Sequence, residues 1–348
     1  MQQWIKEVAR GKRGARDLTY EEAKQAAEAI VTGNASPVQT AAFLIAERMK
    51  TESPEELLAF TEALRNSSKT LNLSKAVKDA VIDFAGPYTG RHSFLATIPA
   101  SLLLAGNGVP VFLHGSDALP PKYGTSVKNV LDKLGIPSET DPAQMAHSLE
   151  EASIGFAAAE TFCKPFVRMR KIREEIGIRT VLNTAEKLVN FSDADKLMMG
   201  AVHRTAIQKM HPVFQHLTYK EVFIVQGAEG SEDVPVHRGS FVFTIKNGVI
   251  DSFILKPEKF GLYADEAKLN KPLSAEEQAE KITAVLAGDE SADTEYERKQ
   301  VIMNTALRYY LFGHCAAIEE GVRTAEKQLK EKAGLEALER WKASFTRP

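Results

Sequence analysis

The stretch that decides the fold is Asp83-Phe-Ala-Gly86-Pro-Tyr-Thr89-Gly90-Arg91-His92-Ser93. Such a loop, rich in small and hydroxyl residues after an apolar run, suits a phosphate, because backbone N–H groups and a helix N-terminus can reach the anion. Working outward, the sequence predicts a strand over 81–84, a helix over 94–105 and a strand over 110–113. Parallel strands need such a crossover, so the stretch predicts a β-loop-α-β unit with a ligand-binding loop.

The chain after this unit continues as an α/β pattern. Residues 222–225 form a further predicted strand, and residues 241–245 and 249–254 flank Lys246-Asn247-Gly248. Asn-Gly is the strongest short signal for a hairpin. Two helices are then expected, one opened by Ser274-Ala-Glu-Glu277 and one covering 294–321. Parallel strands together with a hairpin indicate a mixed sheet.

The first seventy residues carry three helix start signals instead. Thr19-Tyr-Glu-Glu22, Ser36-Pro-Val-Gln39 and Ser53-Pro-Glu-Glu56 are capping boxes, and Gly33 is placed to end the first of these helices. We therefore expect an α/β protein with a small N-terminal helical domain and a larger α/β domain with a mixed central sheet. The expected limits are 1–74, completed by helices from about 164–190, and 75–348.

Composition excludes several classes of protein. Hydrophobic residues make up 44% and charged residues 26% of the 348 positions, as in ordinary globular proteins, and the formal net charge is −2. That balance gives no global reason to expect a nucleic-acid or membrane partner. Cys163 and Cys315 are too few for a disulfide framework. No signal core or apolar span is recognisable, which predicts a cytoplasmic protein without membrane contacts.

Several stretches occur in the order and spacing of anthranilate phosphoribosyltransferase. They are Leu18-Thr-Tyr-Glu-Glu22, Ala41-Ala-Phe-Leu-Ile-Ala-Glu-Arg-Met-Lys50, residues 109–115, Leu131-Asp-Lys-Leu-Gly-Ile136, Gly177-Ile-Arg-Thr180 with Asn183, and Val225-Gln-Gly227. The chain resembles that family, in glycosyltransferase family 3, over nearly its whole length. The resemblance implies the pentosyltransferase class that includes pyrimidine nucleoside phosphorylase. It also implies a ligand cleft between two domains and a homodimer through the helical domain.

The resemblance further implies site residues. The family's Gly-Thr-Gly-Gly-Asp loop for phosphoribosyl pyrophosphate falls on Ala85-Gly-Pro-Tyr-Thr89, so this loop is degenerate here. Arg173 takes the place of the arginine that pairs with the acceptor carboxylate. Glu232 and Asp233 take the place of the carboxylates that bind magnesium, which makes Mg²⁺ the implied cofactor. The implied phosphate- and ribose-binding residues are Gly86, Thr89, Gly90, Thr97, His114, Gly115, Ser116, Lys122, Gly124, Thr125 and Ser126.

The residue types alone leave simpler interpretations open. Gly86 and Gly90 can be turn residues, since the conformational freedom of glycine explains them equally well. His114 can be a core histidine at a strand end. Lys122 is most simply a surface lysine, and adjacent carboxylates in a polar loop are usually just solvated, although Mg²⁺ needs only one or two of them.

Two segments are much more basic than the chain as a whole. Concentrated positive charge suits phosphate groups, although a solvated helix face is the commoner outcome. The opening Ile5-Lys-Glu-Val-Ala-Arg-Gly-Lys12 also resembles the leader of a paralogous group in this family, which includes non-catalytic members that bind single-stranded nucleic acid. The basic residues concerned are Lys6, Arg10, Lys12, Arg13, Lys164, Arg168, Arg170 and Lys171.

Two hypotheses about function follow. In the first, the protein is a pentosyl transferase that binds a phosphorylated ribose or a nucleotide-like molecule in the interdomain cleft. Positioning and electrostatics would then stabilise positive charge on the sugar. In the alternative, a non-catalytic paralogue binds single-stranded nucleic acid through the basic segments.

Overall fold

The computed structural model describes residues 1–11, 13–86, 88–202, 204–217, 219–265 and 272–346, without the side chains of 204–206, 208 and 209. Lys12 and Pro87, both singled out in the sequence, lie outside the described residues. Of the helices in the described part of the chain, none combines the length and apolarity needed to cross a membrane.

The helices of the N-terminal part are α1 (Gln2–Val8), α2 (Tyr20–Thr32), α3 (Pro37–Lys50) and α4 (Pro54–Asn66). The later helices are α5 (Lys75–Ala80), α6 (Thr97–Gly106), α7 (Val127–Lys133), α8 (Pro142–Ala152), α9 (Ala159–Phe162), α10 (Lys164–Ile176), α11 (Val181–Ala185), α12 (Arg204–His216), α13 (Ala275–Leu286), α14 (Glu295–Leu311), α15 (Ile318–Lys330) and α16 (Ala333–Ala343). The strands are β1 (Ile82–Ala85), β2 (Val111–Gly115), β3 (Ile154–Ala158), β4 (Lys196–Gly200), β5 (Glu221–Val225), β6 (Ser240–Lys246) and β7 (Val249–Leu255).

The capping boxes form as predicted. Thr19, Ser36 and Ser53 are the N-caps of α2, α3 and α4, and each exchanges hydrogen bonds with the residue three positions on. Gly33 ends α2 in the left-handed conformation, at a φ of 85°. In space, α10 packs against α3, α11 against α3 and α4, and α12 against α4. The helical layer is therefore built from both the first helices and a later segment, and the domain limits themselves stay a prediction.

The central sheet is mixed, which confirms the expected fold class. Its seven strands lie in the order β3-β2-β1-β4-β5-β6-β7. The first five in this order are parallel, β6 pairs antiparallel with β5, and β7 pairs antiparallel with β6. Asn247 and Gly248 form the predicted hairpin turn with φ values of 50° and 77°. Because the carboxyl ends of parallel strands meet at one edge, the loops after β1, β2, β4 and β5 are gathered there.

The sheet separates two apolar cores. Phe84 points into a core shared with α6, α13, α14 and the last helices, whereas Ala85 faces the core that contains the helical layer. Alternation along a strand puts Asp83 on the same face as Ala85. The helical layer therefore packs on one face of the sheet and the C-terminal helices on the other.

Two helix predictions were wrong in extent. The helix expected from residue 94 begins at Thr97, because the backbone of the preceding residues is bound elsewhere: Leu95 donates to Gln278, and Phe94 accepts from Arg91. The single helix expected over 294–321 is broken after Leu311, where Gly313 has a φ of 81°. The described C-terminal part therefore carries α13 to α16 rather than two helices.

Candidate functional site

A cavity of about 300 Å³ lies between the helical layer and the carboxyl edge of the sheet. The wall on the helical side, called here the helical wall, includes Arg48, Glu52, Arg179, Thr180, Asn183 and Lys187. The wall on the sheet side, called here the sheet wall, includes Tyr88, Thr89, Gly200, Val202, Glu229 and Gly230. Of the phosphate and ribose residues predicted from sequence, only Thr89 lines this cavity.

Gly90 and Gly124 allow two loops to cross. Arg91 and Thr125 exchange backbone hydrogen bonds of 2.8 and 2.9 Å, so the loop after β1 pairs with the loop before α7. A Cβ at Gly90 would lie 2.1 Å from the carbonyl oxygen of Gly124, and a Cβ at Gly124 would lie 2.6 Å from the backbone nitrogen of Arg91. Close packing of the two backbones therefore explains both glycines.

Asp233 is enclosed by two arginines. Its carboxylate accepts from Arg91 at 2.5 Å, from Arg308 at 2.7 Å and from the backbone N–H of Thr97 at 2.9 Å, and the three side chains that carry charge are fully buried. Thr97 is buried as well, and its hydroxyl accepts from Arg308. Asp233 was predicted to bind metal and Thr97 to bind the ligand, but both side chains are already hydrogen-bonded to buried groups of the protein.

Glu232 differs from its neighbour. Its side chain is fully buried, and neither carboxylate oxygen has a hydrogen-bond partner among the described residues. Burial, together with the negative charge of Asp233, raises its pKa. Within the described residues, no group of three or more His, Cys, Asp or Glu side chains could hold a metal ion by itself. Any cation here would need ligands from outside the protein.

Lys122 is engaged by Glu229, at a distance of 2.5 Å. The carboxylate of Glu229 also accepts from the hydroxyl and the backbone N–H of Ser93. Burial opposes the ionisation of Glu229, but the bonds from Lys122 and Ser93 outweigh it and lower its pKa to about 2. The lysine predicted to bind phosphate is therefore neutralised by a carboxylate of the loop that follows β5.

Arg173 forms a buried ion pair with Glu186, at 2.7 Å. The Tyr88 ring lies over its guanidinium, 5.9 Å from the ring centre. Ser116 is bound to the same carboxylate through its hydroxyl and its backbone N–H. The structure thus places Arg173, predicted to bind the acceptor, behind Tyr88 rather than on the cavity wall. The hydroxyl of Ser116 already donates to Glu186 and is not available to a phosphate.

His114 is a core residue. It is 2% exposed, its ring packs edge-on against Phe191, and Nε2 lies 3.3 Å from a carboxylate oxygen of Asp83. Burial alone would lower the pKa of His114, but the Asp83 carboxylate outweighs that effect and raises it. The structure therefore favours the simpler interpretation of this histidine over ligand contact.

The remaining predicted hydroxyls serve the local fold. Thr125 donates to the carbonyl of Leu273 at 2.7 Å, and Ser126 is the N-cap of α7. Gly86 and Gly115 follow and end the strands β1 and β2, and neither lines the cavity. These positions explain the hydroxyl-rich sequence without a phosphate.

The basic segments belong to one layer but are partly neutralised. α1 and α10 both pack against α3. Arg10 pairs with Glu7, Arg170 with Glu160 and Glu174, and Lys171 lies 3.8 Å from Glu175, while Arg168 donates to the carbonyl of Val31. Within the described part of the chain, Lys6, Arg13 and Lys164 form no ion pair. The nucleic-acid hypothesis stays a prediction.

Sequence reasoning missed most of the cavity lining. The stretches that carry the family resemblance contain Arg48, Arg179, Thr180 and Asn183, but the sequence predicted a ligand-binding role for none of them. Lys187 is half-buried, it donates to the carbonyl of Gly200 at 3.0 Å, and partial removal from solvent lowers its pKa to about 8. The sequence did contain a signal for this wall. Arg48 and Arg179 are basic residues in two stretches that were both expected in the helical layer, so the two side chains could be expected to lie near each other.

Two models of one family match the chain. The glycosyl transferase family helical bundle domain matches residues 2–68, and the glycosyl transferase family a/b domain matches residues 86–334. The chain therefore belongs to this family of two-domain transferases. Within it, the chain is similar to the anthranilate phosphoribosyltransferase of Rubrobacter xylanophilus, with 30% identity over 97% of this chain and 96% of that protein. A relative named likewise, from Methanocorpusculum labreanum, is 30% identical over 93% of each chain.

Solved structures agree with this assignment. The anthranilate phosphoribosyltransferase of Thermus thermophilus is similar with a TM-score of 0.82 at 26% identity, covering 99% of both chains. The Saccharomyces cerevisiae enzyme in complex with PRPP and Mg gives a TM-score of 0.83 at 20% identity, covering 99% of this chain and 97% of that one. At the latter identity the likeness shows the fold alone.

Proposed function

We propose that this protein binds a phosphorylated ribose ligand in the cavity between the helical layer and the sheet, as a pentosyl transferase-like member of its family. The observation that carries the proposal is the position of the cavity at the carboxyl edge of the parallel strands, where α/β sheets bind ligands. Arg48, Arg179 and Lys187 line it, and cationic donors suit a phosphate. The names of the relatives support a pentosyl donor as the ligand.

The same contacts predict weak binding of phosphoribosyl pyrophosphate. Lys122, Ser116, Thr125 and Ser126 bind other protein groups, and Tyr88 places a ring where the family loop has glycine. A donor that is already bonded gains little by exchanging its partner for a ligand. We therefore expect the protein to bind a sugar phosphate more weakly than the enzyme it resembles.

Glu232 is the carboxylate that fits a magnesium ion. Its buried oxygens accept no hydrogen bond from the described residues, whereas those of Asp233 already accept from two arginines. Magnesium bound there would neutralise phosphate charge and take its other oxygens from ligand and water. In this proposal Glu232 holds the metal, Lys187 faces the phosphate, and Asp233 keeps Arg91 and Arg308 in place.

Isothermal titration calorimetry tests the proposal on the full chain. Ribose 5-phosphate and phosphoribosyl pyrophosphate are titrated with and without Mg²⁺, and unphosphorylated ribose serves as the negative ligand. We expect both phosphorylated sugars to bind, with affinities weaker than micromolar, and ribose to give no heat. Magnesium should strengthen binding to the wild type but not to Glu232→Gln, while Glu62→Gln on α4 behaves like the wild type. Absence of binding at millimolar sugar phosphate would refute the proposal.

We further propose a homodimer through the helical layer, with a second copy of the chain as the partner. Val38, Ala42, Ile45 and Met49 are spaced as one stripe along α3, and Val38 and Met49 are each 79% exposed. Val167 is 57% exposed on α10, a helix that packs against α3. Apolar patches of this kind on soluble proteins mark interaction surfaces.

Light scattering after size exclusion tests the dimer. The double variant Val38→Lys/Met49→Lys should run as a monomer at concentrations where the wild type is a dimer. Val249→Lys, at a 69% exposed position on β7, is the matched control and should keep the wild-type mass. A wild-type monomer, or a dimer unaffected by the double variant, would contradict this interface.

A further inference from the structure

We infer that Arg48, Arg179 and the Tyr88 hydroxyl form an oxyanion subsite on the helical side of the cavity, which takes a carboxylate or phosphate group of the second ligand. This inference deepens the proposed function and rests on the same cavity. It assigns recognition of an anionic acceptor to the helical wall rather than to Arg173.

Arg179 has no counterion among the residues that the structure describes. Its side chain is half-buried and lines the cavity, and its Nε is shielded from solvent yet bonded to nothing among the described residues. In the same part of the chain it forms no ion pair within 4.0 Å. An orphaned buried donor is costly, and an incoming oxyanion would satisfy it through a charge-assisted bond. The side chain therefore has a donor that is available to an oxyanion.

Tyr88 supplies a neutral donor beside this arginine. The residue is only 8% exposed, and burial raises its pKa to about 12, so the hydroxyl is protonated at any ordinary pH. Among the described residues the hydroxyl has no hydrogen-bond partner, and its oxygen is not shielded from solvent. Arg48 and Arg179 line the same cavity as Tyr88, and the guanidinium of Arg173 lies 5.9 Å from the centre of its ring. Tyr88 therefore lies where an anion attracted by these arginines would arrive.

Arg48 completes the subsite from the last turn of α3. It is exposed and forms no ion pair with the described residues. The chain turns sharply at Thr51, whose φ of 76° is unfavourable for a β-branched residue. Strained backbone persists where the surrounding structure requires it, often at binding sites. Here the turn carries α3 into α4 with both Arg48 and Glu52 on the cavity wall.

The carboxylates that face the subsite do not neutralise it. Glu229 is held by Lys122 at 2.5 Å and by Ser93. Glu52 lines the same wall, with one oxygen buried and unpartnered, and lies more than 4.0 Å from any described cation. Three basic side chains therefore line the cavity against one carboxylate that has no basic partner, which leaves a positive field for an anion.

Arg173 cannot be reached first by the same ligand. Its side chain is 4% exposed, its guanidinium is paired with Glu186, and Tyr88 covers it. An anion that entered the cavity would meet the Tyr88 hydroxyl and Arg179 before it met Arg173. Binding at Arg173 would also require breaking a buried ion pair.

Calorimetric titration of two small probes tests the subsite. Inorganic phosphate and benzoate represent the two oxyanions, and stronger binding of one of them identifies the group that the subsite prefers. Arg179→Gln should weaken the preferred probe ~10- to 100-fold, Arg48→Gln and Tyr88→Phe by smaller factors. Arg298→Gln is the matched control, because Arg298 is also a half-buried arginine with an unpartnered Nε but lines a different cavity. It should bind like the wild type.

Several outcomes would overturn the inference. The inference is wrong if the wild-type protein binds neither phosphate nor benzoate. It is also wrong if Arg179→Gln binds the preferred probe with the affinity of the wild type. A loss confined to Arg173→Gln, in a variant whose melting temperature matches that of the wild type, would return the role to Arg173. If the small probes bind through Arg179 but no sugar phosphate binds, the subsite is supported and the proposed function is refuted. If sugar phosphates bind and the small probes bind equally well without Arg48 and Arg179, the proposed function is supported and the subsite is refuted.

Discussion

The two walls of the cavity use charge differently. On the sheet wall and behind it, Asp233 is paired with Arg91 and Arg308, and Glu229 with Lys122. On the helical wall, Arg48 and Arg179 have no counterion among the residues that the structure describes. Most of the residues that resemblance assigned to ligands lie on the first side. Charges there stabilise the fold, and charges available to a ligand are found across the cavity.

The difference follows from burial. An ion pair with no exposed surface must be complete, because removing one partner leaves an uncompensated charge at low dielectric. A half-buried or exposed arginine can remain unpaired, because water reaches part of it. Reactive-looking residues in a buried loop are therefore weaker indicators of a site than unpaired residues on a cavity wall.

The largest effect should come from opening the most buried centre. Asp233→Ala leaves Arg91 and Arg308 buried without a counterion, and we expect a loss of about 3–5 kcal/mol in the free energy of unfolding. Urea denaturation followed by circular dichroism measures it. Asp79→Ala removes an exposed carboxylate paired with Lys75 and should leave the midpoint unchanged. Similar midpoints for the two variants would mean that the buried centre is not a stabilising element.

A double-mutant cycle on Arg173 and Glu186 should give the next effect. We expect a coupling energy of roughly 1–3 kcal/mol between Arg173→Gln and Glu186→Gln, because both partners are nearly fully buried. The measurement is the free energy of unfolding of the wild type, both single variants and the double variant. The same cycle on the exposed pair Lys75 and Asp79 should show no measurable coupling. If the two substitutions change the free energy of unfolding additively, the ion pair contributes no stability. Arg173 could then pair with the acceptor carboxylate, as the family resemblance implies.

The helical wall has a buried titratable group beneath it. Burial, followed by the negative charge of Glu56, raises the pKa of Glu47 to about 9, despite Lys50 at 3.3 Å. Because the folded pKa exceeds the unfolded one, this contribution to stability is complete below about pH 4.5 and is lost as pH rises toward 9. Wild type should therefore lose roughly 2 kcal/mol relative to Glu47→Gln between pH 6 and about pH 7.5. Urea titrations at several pH values measure the difference.

The control for this pH effect is Glu55→Gln, in the first turn of α4. Its difference from the wild type should not change between pH 6 and pH 9. A constant offset for Glu47→Gln over the same range would show that Glu47 is already ionised in the folded protein.

The smallest effect should come from relieving the strained turn of the helical wall. Thr51→Gly removes a β-branched residue from a φ of 76°, and the relief exceeds the added entropy of glycine, so stability should rise by about 0.5–1 kcal/mol. Differential scanning calorimetry detects the change. Thr32→Gly, at the last residue of α2, should lower the melting temperature instead. A lower melting temperature for Thr51→Gly would mean that this turn stores no strain.

Local sequence rules predicted the helical layer and most of the sheet, since capping boxes and the Asn247-Gly248 turn act within a few residues. A rule of the same range applies at Gly313, whose φ of 81° ends the helical region after Leu311 as Gly33 ends α2, so the unbroken helix expected over 294–321 overlooked a local signal. The site was predicted less well. Pairings such as Lys122 with Glu229 join residues 107 positions apart, so only the folded chain shows that these groups are occupied.

The crossing of backbones at Gly90 and Gly124 bears on how natural variation in this family is read. Any side chain at either position would collide with the other loop, as the distances of 2.1 and 2.6 Å show. Selection would therefore retain glycine at both positions even in descendants that had lost every ligand. If these two glycines are conserved, that conservation indicates only that the fold is kept. Conservation of Arg48 and Arg179, which form no ion pair among the described residues, would be better evidence that a function is kept.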